Sequence, residues 1–156
     1  MTELNTAPQL APHERCTGCA ACAEGCPKNA IHMLPDREGF LYPTVTDACI
    51  QCGHCSHICP VRKQREPRPE PAVFAAWNTD EAVRRASTAG GVFSTLADYI
   101  LESGGVVFGA ATDEQLHVRH IAVHSAEELP RLRGTKPVQS EIGDCYQKVR
   151  YYLDRG

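Results

Sequence analysis

The sequence predicts an α+β protein in two parts: a small cysteine-rich domain with two pseudo-symmetric sites, then an incomplete α/β domain. Three observations predict this. One cysteine motif occurs twice before residue 65, a proline-rich charged run follows it, and the remainder carries helix- and strand-length apolar patterns with one cysteine, Cys145. With 156 residues and 42% apolar content, two small domains are as feasible as one ordinary one.

The repeat is explicit. Cys16-Thr17-Gly18-Cys19-Ala20-Ala21-Cys22-Ala23-Glu24-Gly25-Cys26-Pro27 recurs as Cys49-Ile50-Gln51-Cys52-Gly53-His54-Cys55-Ser56-His57-Ile58-Cys59-Pro60. Three cysteines spaced Cys-x2-Cys-x2-Cys wrap three irons of a 4Fe–4S cube, and the loop's N–H groups can offset its negative charge. In the ferredoxin spacing the fourth cysteine, before the proline, ligates the other cluster. That assigns Cys16, Cys19, Cys22 and Cys59 to one 4Fe–4S cluster, and Cys49, Cys52, Cys55 and Cys26 to a second. Zinc sites pair two C-x2-C units and have no use for a third cysteine at the same spacing. His54 and His57 lie inside the second motif as supporting or surface positions, since four thiolates complete each cluster. Between the motifs, Ala30 to Val45 reads as short strands around a turn at Pro35–Gly39.

The run Lys63-Gln64-Arg65-Glu66-Pro67-Arg68-Pro69-Glu70-Pro71 alternates proline with charge, which favours an extended, solvated linker. The expected organisation is therefore a two-cluster ferredoxin-like domain over 1–65, a linker over 66–72, and a second domain over 73–156. Composition excludes some functions. A net charge of −3 provides no basic stripe for nucleic acid, and two oxidised clusters would bring it to about −7. No apolar run approaches the length of a membrane span. Met1 to Arg15 has no apolar signal core, and nine cysteines without a secretory signal point to metal chemistry in the cytoplasm.

In the second part, Val73 to Trp77 reads as a buried strand. A helix is expected from about Thr88, with Val92, Phe93, Leu96, Ala97, Ile100 and Leu101 on its apolar face and Gly104 as its stop. Val106 to Ala111 and Leu116 to His124 read as strands paired through Asp113-Glu114. Ser125-Ala126-Glu127-Glu128 is a capping box before a short helix. A last helix follows Ser140, with Ile142, Cys145, Tyr146, Val149 and Leu153 on one stripe; Cys145 reads there as a buried structural thiol. His117, His120 and His124 lack the partners of a metal site.

The stretch Arg85-Ala86-Ser87-Thr88-Ala89-Gly90-Gly91 could cradle a phosphate at a helix start or serve as an ordinary N-cap. Gly134-Thr135-Lys136-Pro137 could reach a cofactor or simply end a helix. These runs, with Val106 to Ala110 and Glu127-Glu128-Leu129 leading to Arg133–Ser140, resemble the coenzyme F-420 hydrogenase/dehydrogenase beta-subunit family. The resemblance implies that a ferredoxin-like segment precedes a flavin-binding domain. It places FAD against Thr88, Gly90, Gly91, Thr135 and Lys136, although Pro137 stands where many members carry Tyr. Family domains continue into a further strand and a Gly- and Cys-containing loop, so the chain is expected to be a fragment or subunit of an iron–sulfur flavoprotein oxidoreductase. FAD would exchange hydride with a deazaflavin or similar substrate, and the clusters would exchange electrons with a redox partner protein or other subunit. The alternatives are a ferredoxin-type carrier with a docking domain and no catalysis of its own, and a non-functional gene fragment.

Overall fold

The computed structural model describes residues 8–63 and 72–156. The chain divides into two compact units, Met1–Pro67 and Arg68–Gly156. The expected linker over 66–72 lies outside the described residues apart from Ala72.

In the first unit a 3-10 turn, His13–Arg15, leads into the first motif. Helix α1 (Ala21–Glu24), strands β1 (Ile31–Pro35) and β2 (Leu41–Val45), and helix α2 (His54–Ile58) follow. The expected strand pair is present: β1 and β2 run antiparallel, Ile31 opposite Val45 and Pro35 opposite Leu41. Asp36 closes their turn, its Oδ1 accepting the N–H groups of Glu38 and Phe40 at 2.9 and 3.0 Å. Gly39 takes the left-handed position, φ 89°, which glycine adopts without a Cβ penalty.

Each motif copy contributes one helix of a single turn, too short to persist without tertiary packing, and α1 packs on α2. At that contact a Cβ on Gly25 would overlap Ile58 Cδ1 and lie 3.1 Å from the Ala21 carbonyl oxygen. Gly25 and Ile58 occupy equivalent places in the two copies. The larger residue of one repeat fills the space left by the smaller residue of the other. Apolar burial is otherwise thin: among the described residues of this unit, Ala30, Ile31 and Cys55 form the buried set.

The second unit comprises α3 (Glu81–Arg85), α4 (Val92–Glu102), β3 (Val107–Thr112), β4 (Val118–Val123), a 3-10 turn at Leu129–Leu132 and α5 (Cys145–Leu153). Strands β3 and β4 form the expected antiparallel pair, and a single parallel bridge joins Arg119 to Glu141. The α+β class is thus carried by two separate two-stranded antiparallel sheets. Ala97, Ala111, Val123, Leu129 and Leu132 form the buried core of this unit, flanked by Leu101, Val107 and Ile121. Helix α4 ends where Gly104 was expected to stop it. The Gly105 N–H reaches the Ile100 carbonyl and the Gly104 N–H the Leu101 carbonyl, both at 2.9 Å, the paired bonds of a Schellman motif.

Four elements differ from their sequence patterns. Val73 to Trp77 is not a strand, because no described segment offers it a ladder; Val73, Phe74 and Trp77 are 90%, 84% and 64% exposed. Helix α4 begins at Val92, not Thr88, and its N-cap is Gly91 without a side-chain cap. It meets the sheet through its small residues, with Ser94 and Ala97 buried, while Val92, Phe93, Leu96 and Ile100 face outward. Close approach of helix to sheet selects small side chains: of the expected stripe, Ala97 lies in the core and Leu101 flanks it, while the four others are exposed. The capping box opens a 3-10 turn instead of an α-helix: Glu128 accepts the His124 N–H at 2.9 Å, and Pro130 cannot continue the α-helical bond pattern. Helix α3 was not anticipated, although Asp80 signals it by accepting the N–H groups of Ala82 and Val83.

Candidate functional site

The first unit shapes its cysteines by backbone conformation. Two residues of each motif copy stand in the left-handed region, two and four places after the first cysteine: Gly18 (φ 63°) and Ala20 (φ 58°), then Gln51 (φ 56°) and Gly53 (φ 72°). The glycines have exchanged places between the copies, yet the backbone repeats. Alternating left-handed residues turn successive N–H groups into one concavity, an anion-binding arrangement. One of them, the Gln51 N–H, donates to Cys49 Sγ at 3.4 Å, and outside the loops the Ala30 N–H donates to Cys26 Sγ at 3.3 Å.

The cysteines gather in two sets. One cavity is lined by Cys16, Cys19, Cys22 and Cys59, with Leu10, Met33, Pro43 and Val61 as apolar walls. A second is lined by Cys26, Cys49, Cys52 and Cys55, with Ile31 and Ile50. Each set takes three cysteines from one repeat and the fourth from the other, the crossed pattern expected from the spacing. The thiols surround a space and do not converge on a point: among the described residues, no three His, Cys, Asp or Glu could hold a single ion. A tetrahedral zinc would draw its sulfurs to about 3.8 Å of one another, from Zn–S bonds of about 2.3 Å; an iron–sulfur cube holds them further apart. The donor set, all cysteine with N–H groups directed at sulfur, fits the cube. Burial, with the neighbouring Cys19 second, pushes the Cys22 thiol up to about 11. The iron-free chain therefore holds Cys22 protonated at neutral pH, and loading must displace that proton. His54 and His57 are exposed.

In the second unit a cavity of about 420 Å³ opens at the start of α4, within the usual range for small-molecule sites. Thr88, Gly90 and Gly91 line one side, and Arg133, Gly134 and Thr135 the other. Four of the five residues expected against FAD thus share one cavity. Lys136 does not line it: its Nζ donates to the carbonyls of Arg131 and Arg133 at 3.3 and 2.7 Å, and burial lowers its pKa. Gly90 has a packing reason for being glycine, since a Cβ there would come within 2.7 Å of the Ala76 carbonyl oxygen. The residue pattern did not single out Arg133, whose Nε donates to the buried Ser94 Oγ at 3.1 Å and ties its loop to the first turn of α4. No side chain caps α4, and Gly91, Val92 and Phe93 at its start line the cavity, where the positive end of the helix dipole lies. The buried Cys145 sits at the start of α5.

Comparison with known proteins follows this division. Residues 15–63 match the family model described as 4Fe-4S dicluster domain, and residues 73–145 match that of the coenzyme F420 hydrogenase/dehydrogenase, beta subunit N-term. An uncharacterized ferredoxin of Methanocaldococcus jannaschii is 31% identical over 51 residues, 33% of this chain and 66% of that protein. A ferredoxin of Alicyclobacillus acidocaldarius is 43% identical over 53 residues, 33% of this chain and 63% of the relative. A protein named Ferredoxin 7Fe, from Hydrogenibacillus schlegelii, is 42% identical over 50 residues, covering 31% and 59%. The chain thus spans 59–66% of the length of these curated relatives. Over residues 15–63 the fold and the cysteine framework are those of a two-cluster iron–sulfur domain similar to these ferredoxins. The stretch similar to a dicluster domain thus precedes one similar to the N-terminal part of coenzyme F420 hydrogenase/dehydrogenase beta subunits. No helix among the described residues is long and apolar enough to cross a membrane.

Proposed function

We propose that this chain is the electron-relay part of an iron–sulfur flavoprotein oxidoreductase, working in the cytoplasm with a redox partner protein or a further subunit. The observation that carries the reading is the crossed cysteine set around each of two cavities. Cys16, Cys19, Cys22 and Cys59 would hold one 4Fe–4S cluster, and Cys26, Cys49, Cys52 and Cys55 the other. The clusters supply single-electron exchange, at potentials set by N–H···S bonds and burial. The chain holds each set in place through the left-handed residues at 18, 20, 51 and 53 and through the α1–α2 contact.

FAD is proposed at the cavity between Thr88–Gly91 and Arg133–Thr135. The uncapped N-terminus of α4 and the adjacent Arg133 suit a pyrophosphate, and Thr88 and Thr135 offer hydroxyl donors. A flavin bound there would supply the exchange between two-electron hydride transfer, with a deazaflavin or similar substrate, and one-electron transfer. Lys136 would act by holding the loop carbonyls in place rather than by touching the cofactor.

The test is anaerobic loading with iron and sulfide, followed by an iron count and titration with FAD. About eight irons per chain and saturable flavin binding, lost in Gly91→Val, are expected. Eight irons with no flavin binding would remove the flavoprotein half and leave a ferredoxin-type carrier with an appended docking domain.

A further inference from the structure

Residues 8–11 stand outside the matched dicluster domain, which begins at 15, yet they reach both cysteine cavities. Pro8 lines the one formed by Cys26, Cys49, Cys52 and Cys55. Leu10 and Ala11 line the one formed by Cys16, Cys19, Cys22 and Cys59. These three side chains are half-buried, whereas Gln9 between them is exposed and makes the polar ties. Its carbonyl accepts the Ser56 hydroxyl at 2.8 Å, and its Oε1 accepts from an Arg62 guanidinium N–H at 2.8 Å. Ser56 directly follows Cys55, and Arg62 lies just past Cys59, so one residue is fastened beside a ligand of each set.

The far end of the segment is fixed as well. The Arg15 and Cys16 N–H groups both donate to the Pro12 carbonyl at 3.0 Å. The His13 ring stacks on Tyr42 at 3.8 Å between centroids, and its Nε2 lies 3.8 Å from Asp36 Oδ2. Leu10 and Ala11 are therefore held between two anchors against one cavity, and Pro8 borders the other just before the Gln9 ties.

We propose that Pro8–Ala11 is a strap shielding both clusters from solvent, and that Gln9 is the positioning residue that latches it. The inference rests on the cluster reading above. A fixed apolar cover over each cube slows the entry of water, chelators and oxidants, and it lowers the local polarity on which cluster potentials depend. The side-chain tie requires an acceptor at position 9 and a donor at position 62, so glutamate at position 9 preserves it.

The experiment uses the full chain loaded with iron and sulfide under anaerobic conditions. Iron release to a chelator and the reduction potentials are recorded for wild type, Gln9→Ala, Arg62→Ala and Gln9→Glu, with amide hydrogen exchange followed at residues 9–11. Gln9→Ala and Arg62→Ala are expected to release iron several-fold faster, shift the potentials and speed exchange in the strap, while Gln9→Glu stays near wild type. Unchanged release and potentials in both truncations would overturn the proposal, as would faster strap exchange without faster iron loss. Failure of the cluster reading is distinguishable, because it would show as a wild-type chain that takes up no iron before any variant is compared.

Discussion

Cys26 belongs by sequence to the first motif and by cavity to the second set, which makes it the sharpest single-residue probe of the crossed arrangement. Cys26→Ala should lower the iron content from about eight to about four per chain, leaving the cluster held by Cys16, Cys19, Cys22 and Cys59; loss of that cluster instead would show the cysteines to be uncrossed. Backbone strain supplies a second probe. A Cβ on Gly53 would meet nothing within 4 Å, so its φ of 72° alone sets the cost of substitution. Gly53→Ala should destabilise the loaded unit by about 1–2 kcal/mol, read as a lower thermal midpoint. Leu116 offers the converse. It is 81% exposed, sits at φ 66°, and occupies the place in the Asp113 turn that Gly39 holds in the Asp36 turn. Asp113 Oδ1 accepts the Gln115 and His117 N–H groups at 3.0 and 2.9 Å, as Asp36 does for its own loop. Leu116→Gly should raise the stability of the second unit by about 0.5 kcal/mol, with relief of left-handed strain exceeding the added freedom of the unfolded chain.

At the scale of elements, the α1–α2 contact depends on an unequal pair. Gly25→Ala introduces a methyl where Ile58 Cδ1 already sits, and overpacking of this kind costs about 1–3 kcal/mol. Ile58→Val removes the offending carbon, so the double variant should recover part of the loss; strict additivity in denaturant unfolding would deny the contact. Both β-hairpins were legible before the structure, because aspartate turns between alternating apolar residues are local signals and need no distant partner. The stop of α4 at Gly104 was legible for the same reason. The start of α4 was not, and of its expected face Ala97 and Leu101 alone pack on the core. Thr88 is an acceptable cap by composition, but the chain turns through Gly90 against the Ala76–Trp77 backbone before the helix begins. Which face is buried follows from the distance to the sheet, where Ser94 and Ala97 fit and Leu96, 63% exposed, does not.

For the whole molecule, the two units differ in what holds them together. The second has an apolar core around Val123 and Leu129, whereas in the first Ala30, Ile31 and Cys55 are the buried apolar residues described. Metal binding is then a large part of the folding free energy of the first unit. Removing iron with a chelator should make the segment 8–63 sensitive to protease while the segment 72–156 keeps its resistance; equal loss in both would contradict this division. The motif spacing by itself determined the iron–sulfur class and the expectation of two crossed cysteine sets, because a cube needs four thiolates and a short loop can supply only three. Only the tertiary structure decided that Thr88 and Gly91 share a cavity with Thr135, that Lys136 is engaged by loop carbonyls, and that Pro8 to Ala11 borders both cysteine sets. Those placements join segments distant in the chain through packing and hydrogen bonds, and no periodicity along a sequence records which distant segments will meet.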